Sequence, residues 1–224
     1  MNRKTADDAE SPILLAGTTP LARGRMRLIH VDPRDPGRLL KVYDDSRWQL
    51  ETRGPRAALM RRFPSIRLRP LLREVAHYQE LMLAQPDATP PIPRIFGFVR
   101  TDLGFALSVE RIWYPGRGEQ GRTLRSLLAK GPLSDAHLAQ LNACLDGLDA
   151  WNVVVSDLTS RNFVFGRRDG QACCVLVDGF GDYHALPLPS LFPSWNARVR
   201  ARSCAALAGR IGLGWDARRR RFTA

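Results

Sequence analysis

Two short stretches of the chain carry side chains suited to phosphate chemistry: VVVSDLTSRNFVF at residues 153–165 and CCVLVDGFGD at residues 173–182. The first places Asp157 five residues before Asn162, and the second ends an apolar run at Asp178. Apolar and β-branched residues flank both, which predicts two strands of one hairpin with the polar residues in the loops at its ends. Phosphoryl transfer from a nucleotide calls for such a set: a carboxylate to hold the attacking hydroxyl, and an amide and a second carboxylate whose oxygens hold magnesium on the phosphates. Asp157, Asn162 and Asp178 can fill these roles. Each also has a plainer alternative. Asp157 and Asn162 can satisfy backbone groups in a tight loop, and Asp178 before Gly179 can end a strand in a turn.

The elements that would position these loops can be read upstream. Residues 26–31 and 38–43 are apolar-rich runs joined by DPRDPG, strong turn chemistry, so they predict a hairpin carrying Lys41 near its end. Residues 44–70 are rich in Arg and interrupted by Pro55, Pro64 and Pro70, which predicts an irregular insertion with at most a short helix. A helix over 71–84 follows, with Leu71, Val75, Tyr78 and Met82 at helical spacing, Pro86 beyond its end and Glu74 on the flank of the buried face. A second hairpin is predicted from RIFGFVR and FALSVERI around TDLG at 101–104. Helices follow at 124–130 and 135–150, with Thr123 and Ser134 as N-caps and Gly131 closing the first. Leu138, Leu141, Leu145 and Leu148 make a core-facing stripe on the second. A last helix is expected at 195–210, after the proline-broken LPLPSLFP. Seen alone, Lys41 could be a strand-edge solubility device and Glu74 a surface partner of Arg73 or His77.

Composition narrows the class. The 224 residues are 44% apolar and 25% charged, ordinary for a globular protein. The net charge of +12 suggests nucleic acid, but only three of the 34 basic residues are lysines, Lys4, Lys41 and Lys130. An arginine skew of this kind also suits a genome-wide codon bias, and a solvated basic surface is the simpler reading. The one compact basic run, Arg218 to Arg221, lies beside the C-terminus, where fraying is expected. Cys144, Cys173, Cys174 and Cys204 form no C-x-x-C pair, and the four histidines have no zinc spacing. Reduced, mostly buried thiols are the default. The ILLA run at 13–16 is too short for a signal peptide, and no stretch reaches membrane-spanning length. The expectation is a cytoplasmic protein with no membrane partner.

The order of elements resembles the protein-kinase-like fold. Within that superfamily the chain is similar to the family of the PhoP-regulatory-network protein YrbL, small bacterial proteins. The resemblance is carried by TPLARGRMRLIHVDPRDPGRLLKVY at 19–43, LLREVAHYQEL at 71–81, IPRIFGFVRTDLGFALSVERI at 92–112, SDLTSRNFVF and VLVDGFGD. It implies an α+β, bilobal fold: a small antiparallel β lobe with one helix over 1–112, and a reduced, mainly helical lobe over 113–224. It implies ATP and Mg2+ as cofactors in the interlobe cleft. Lys41 would orient the α and β phosphates, with Glu74 as its helix partner. Asp157 would be the catalytic-loop acid, while Asn162 and Asp178 would hold magnesium. Arg161 could stabilise charge on the transferring phosphate. Gly24 would approach phosphate, and backbone groups from Glu110 to Ile112 would face adenine.

Departures from the kinase pattern limit what the resemblance implies. No G-x-G-x-x-G is present, since only Gly17 and Gly24 lie near the first strands. Val155 and Ser156 stand where His and Arg usually precede the catalytic acid, Thr159 replaces a lysine, and Asp178-Gly179-Phe180 displaces the aromatic switch residue. No A-P-E follows Asp178. Three readings result. One is a small kinase acting on an unknown small-molecule or protein acceptor. Another is a nucleotide-binding pseudokinase with a regulatory role. The remotest is a basic nucleic-acid module, for which no recognition motif is present.

Overall fold

The computed structural model describes residues 11–24, 27–44, 62–63, 65–113, 120–181 and 192–224, with the backbone alone for 65–67. Most of the proline-broken insertion expected at 44–70, and most of LPLPSLFP, lie outside the described residues. The chain divides into two compact units: residues 1–69 with 95–111, and residues 70–94 with 112–224. Among the described residues, no helix is long and apolar enough to cross a membrane.

The first unit is built on a five-stranded antiparallel sheet in the order β1-β2-β3-β5-β4. Its strands are β1 (Ala22–Arg23), β2 (Arg27–Val31), β3 (Arg38–Tyr43), β4 (Ile95–Thr101) and β5 (Gly104–Glu110). Both expected hairpins form. In the first, the Asp32 carboxylate accepts from Arg34 N and the Asp35 carboxylate from Gly37 N, both at 2.9 Å. These are the local side-chain bonds that make Asp a turn former. Leu40, Val42 and Ala106 line one sheet face and are covered by Ile13 and Leu15. The ILLA run is therefore a strap: it alternates inward and outward, with Leu14 exposed, and Ile13 bridges to Thr101. Asp102 fastens it, accepting from Leu15 N at 2.7 Å and Ala16 N at 2.9 Å.

The Leu15 and Ala16 amides hold the Asp102 carboxyl below its ordinary value. A carboxyl lowered in the folded state adds stability above its unfolded value, and that stability fades as pH falls through the lower folded value. Asp102→Asn keeps one acceptor but cannot ionise. It is expected to weaken the strap at neutral pH and flatten the acid limb of the stability curve below about pH 4. Urea unfolding of both proteins across that range checks this, and superimposable curves would contradict it.

Helix α1 (Ser65–Ala84) crosses from the first unit into the second. It begins six residues earlier than the 71–84 expected, with Pro70 inside it. As the sixth residue, Pro70 lacks the N–H for only one intrahelical bond, close to the first turn where donors have no helical partner anyway. The buried stripe is also rotated. Leu71, Glu74, His77, Tyr78 and Leu81 are buried, whereas Val75 and Met82 are only half-buried. Glu74 thus sits in the middle of the buried face, since His77 beside it finds a polar partner in the second unit.

The second unit contains β6 (Arg122–Thr123), α2 (Leu124–Leu128), α3 (Asp135–Ala150), β7 (Phe163–Arg168), β8 (Gln171–Leu176), α4 (Pro193–Ile211), β9 (Gly214–Asp216) and β10 (Arg221–Thr223). Thr123 and Ser134 cap α2 and α3 as expected, accepting from Ser126 N and His137 N. Strands β6, β7 and β8 form a three-stranded antiparallel sheet against which α3 packs. Cys144, Cys174 and Cys204 are buried free thiols, and burial pushes Cys204 up to about 12.

The fraying expected at Arg218–Arg221 is not what the chain does. Arg218 to Arg220 turn between β9 and β10 and Arg221 opens β10 opposite Asp216, which accepts from Arg218 N and Arg219 N. Asn142 brackets Phe222 by two bonds, Arg221 pairs with Asp146 at 2.9 Å, and the Phe222 ring is buried against Trp215. One buried aromatic outweighs the tendency of a terminus to fray.

Candidate functional site

In the first unit, Lys41 lies in the interior of β3, two residues before its last residue Tyr43, paired with Ile29 on β2 and Leu107 on β5. It is buried, on the face opposite Leu40 and Val42. A buried lysine occurs only where anionic or polar groups compensate its charge. Gly24 is exposed where β1 turns toward β2, and its N–H donates to the Arg27 carbonyl at 2.8 Å. Strand β1 is only two residues long. Glu110, the last residue of β5, is buried and paired with Arg38.

The remaining residues belong to the second unit. Ile112 is buried, and its carbonyl accepts from Gly121 N at 2.9 Å, so one of that carbonyl's two acceptor positions is occupied. Glu74 is fully buried on α1. Asp157 and Arg161 are exposed, and Asn162 and Asp178 are half-buried.

The two motifs of the opening are brought together through the backbone. Strands β7 and β8 pair from Phe163 with Leu176 to Arg168 with Gln171, which places the Asp157 loop and the Asp178 turn at the same end of the hairpin. The Gly179 carbonyl accepts from Ser156 N at 2.8 Å, Asp157 N at 3.1 Å and the Ser156 hydroxyl at 3.0 Å. Val155 bridges to Phe180, and the Asn162 carbonyl accepts from Val177 N at 2.8 Å. Gly179 has φ +79°, and a Cβ there would collide with the Asp157 carbonyl oxygen and come within 3.0 Å of Asn162 Nδ2. Only glycine permits so close an approach.

Asn162 Nδ2 donates to the Asp157 carbonyl at 3.0 Å, an assignment that turns its Oδ1 away from that bond. Asp178 Oδ1 accepts from Gly179 N at 2.8 Å. Among the described residues no three His, Cys, Asp or Glu side chains gather into a metal group. An ion here would rest on Asn162 and Asp178, with phosphate and water completing its shell. That donor set fits magnesium, which is commonly held by one or two protein ligands and its substrate's phosphates.

Four residues that hold this loop were not singled out from the sequence as site residues. His77 on α1 accepts from Val154 N at 3.0 Å. Asn196 Nδ2 on α4 donates to the Asn152 and Val153 carbonyls, each at 3.1 Å, and to Asn152 Oδ1 at 2.8 Å. Arg200, one turn further along α4, donates to the Val153 carbonyl and pairs with Asp149. Arg210 reaches the Leu158 carbonyl at 3.2 Å. The available signal was the i, i+4 spacing of Asn196 and Arg200 on one helix face.

The sequence pattern of the family described as PhoP regulatory network protein YrbL matches residues 13–211. No curated protein sequence matches the chain. Among solved structures, one of Rad53 1-466 in complex with AMP-PNP aligns with TM-score 0.51 and 13% identity, covering 87% of this chain and 46% of that one. This chain therefore spans less than half the length of that structure. A mutant PknI kinase domain of Mycobacterium tuberculosis aligns with TM-score 0.47 and 17% identity, covering 86% of this chain and 71% of that one. The fold is protein-kinase-like.

Proposed function

The chain belongs to the family of the PhoP regulatory network protein YrbL, and from that premise we propose that it binds ATP with magnesium and transfers a phosphoryl group to an acceptor that its sequence does not name. The observation that carries this reading is the fastening of Asp157, Asn162 and Asp178 around Gly179, a glycine whose positive φ and close approach serve that juxtaposition. Asp157, exposed at the loop, would accept the proton of the attacking hydroxyl. Asn162 Oδ1 and Asp178 would hold the ion, which when bound screens phosphate charge. Arg161, exposed on the same loop, would meet the transferring phosphate. Lys41 would orient the inner phosphates and Glu74 would support it, while Gly24 and the backbone from Glu110 to Ile112 would contact the nucleotide.

A second reading, a nucleotide-binding pseudokinase, is favoured by one observation: β1 is two residues long, so little backbone is available to cover phosphate. Both readings require magnesium-dependent nucleotide affinity. Asp178→Asn retains an acceptor for Gly179 N but loses the charge, and it is expected to lower that affinity about tenfold or more. Calorimetric titration with ATP, with magnesium and with chelator, checks this. Absence of nucleotide binding by the unmodified chain would sink both readings. Binding without phosphate transfer to itself or to lysate components, tested beside Asp157→Asn, would select the second.

A further inference from the structure

Helix α1 and both motif loops meet at one residue, Val154. Its N–H donates to His77 Nε2, its carbonyl accepts from Gly181 N at 2.9 Å, and the residue after it bridges to Phe180. The helix touches this node a second time, because a Cβ on Gly181 would lie 3.1 Å from the Arg73 carbonyl oxygen. The backbone around Val154 therefore has no slack toward α1, and the His77 bond joins the two through buried groups.

The chemistry of the bond fixes the state of the imidazole. A ring nitrogen that accepts an amide N–H carries no proton, so His77 is neutral with its proton on Nδ1. Glu80 Oε2 lies 3.3 Å from that nitrogen and receives it. Protonation of Nε2 would set a donor against the Val154 donor and replace an attraction by a repulsion.

We propose that His77 is a positioning residue whose neutral Nδ1–H tautomer ties the Glu74 helix to the Asp157 segment, making the tie sensitive to protonation. The charged groups around it act in both directions. On α1, Glu74 and Glu80 favour an imidazolium and Arg73 opposes it. From the facing segment, the Arg200 guanidinium on the neighbouring Val153 carbonyl opposes it, offset in part by its own pair with Asp149. The side chain of Glu80 is 64% exposed and screened by water, so the buried bond to Val154 N–H decides. The consequence for phosphate chemistry, a loosening of the Asp157 loop in acid, rests on the nucleotide reading above; the tie itself does not.

The test uses the whole chain without nucleotide. Long-range 15N correlation of the histidine rings at neutral pH is expected to show the Nδ1–H tautomer for His77; an Nε2–H ring or an imidazolium there would overturn the proposal. Amide exchange is expected to show the Val154 protection factor falling about tenfold between about pH 7.5 and 5.5. In His77→Gln, whose side-chain oxygen can accept the same N–H but does not titrate, protection is expected to stay within about twofold over that range. Equal falls in both proteins would overturn the proposal, and if His77→Gln fails to fold, the tautomer alone decides it. Neither readout contains nucleotide, so a chain that binds none can still pass, and the two readings fail separately.

Discussion

Replacing Gly179 by alanine is expected to destabilise the second unit by more than about 3 kcal/mol and to abolish magnesium-dependent nucleotide binding. Two terms contribute. A non-glycine residue in the left-handed region costs roughly 1–2 kcal/mol. The new methyl would also collide with the Asp157 carbonyl, a backbone atom held by the Asn162 amide and unable to swing aside. Gly170 separates these terms. Its φ is +80° against +79° for Gly179, yet a Cβ there meets nothing within 4 Å. Gly170→Ala should therefore show the backbone term alone, about 1 kcal/mol in urea unfolding, and leave nucleotide affinity unchanged. Equal losses in the two variants would mean that the approach of the Asp178 turn to the Asp157 loop carries no energy of its own. The site reading would then lose its main structural support.

Gly179 also shows what kind of information the sequence holds. Asp178-Gly179 after an apolar run is readable as a strand end, and the Asp–Asn loop as a turn, because both signals are local. The hairpins around DPRDPG and TDLG and the caps Thr123 and Ser134 were legible for the same reason. Lys41 could be placed on a strand and Glu74 on a helix by periodicity alone. What periodicity missed was the burial of polar groups whose partners are distant in the chain. His77 finds its donor at Val154, 77 residues on, and Arg200 finds Asp149, 51 residues back. A buried His or Arg breaks the apolar stripe from which a buried face is inferred, so the α1 stripe was placed off Glu74 and His77. The early start of α1 and the terminal hairpin have different causes. Pro70 falls near the first turn, where it costs only one bond, whereas the Arg218–Arg221 run discourages regular structure locally and tertiary partners override it.

The largest loss of stability is expected when Asn196→Ala and Arg200→Met are combined, because both side chains serve one acceptor. The Val153 carbonyl, on a fully buried residue, accepts from Asn196 Nδ2 and Arg200 Nη1. Removing Arg200 alone leaves that carbonyl one donor. Its partner Asp149 does not become a stranded charge, since its side chain is 37% exposed and Arg220 lies 3.9 Å away. The single change should cost about 2 kcal/mol, below the usual cost of breaking a fully buried pair, and Asn196→Ala about 1–2 kcal/mol. The second removal leaves the buried carbonyl without either donor, which adds a desolvation cost that neither single variant shows. The double variant is therefore expected to lose about 1–2 kcal/mol more than the sum, or roughly 5 kcal/mol in all. A double-mutant cycle by urea unfolding measures this coupling, with unchanged m-values as the check that the comparison is two-state. Strict additivity would mean that α4 does not grip the Asp157 segment through Val153. A coupling of the expected sign would make Val153 and Val154 adjacent backbone anchors, one held by α4 and the other by α1.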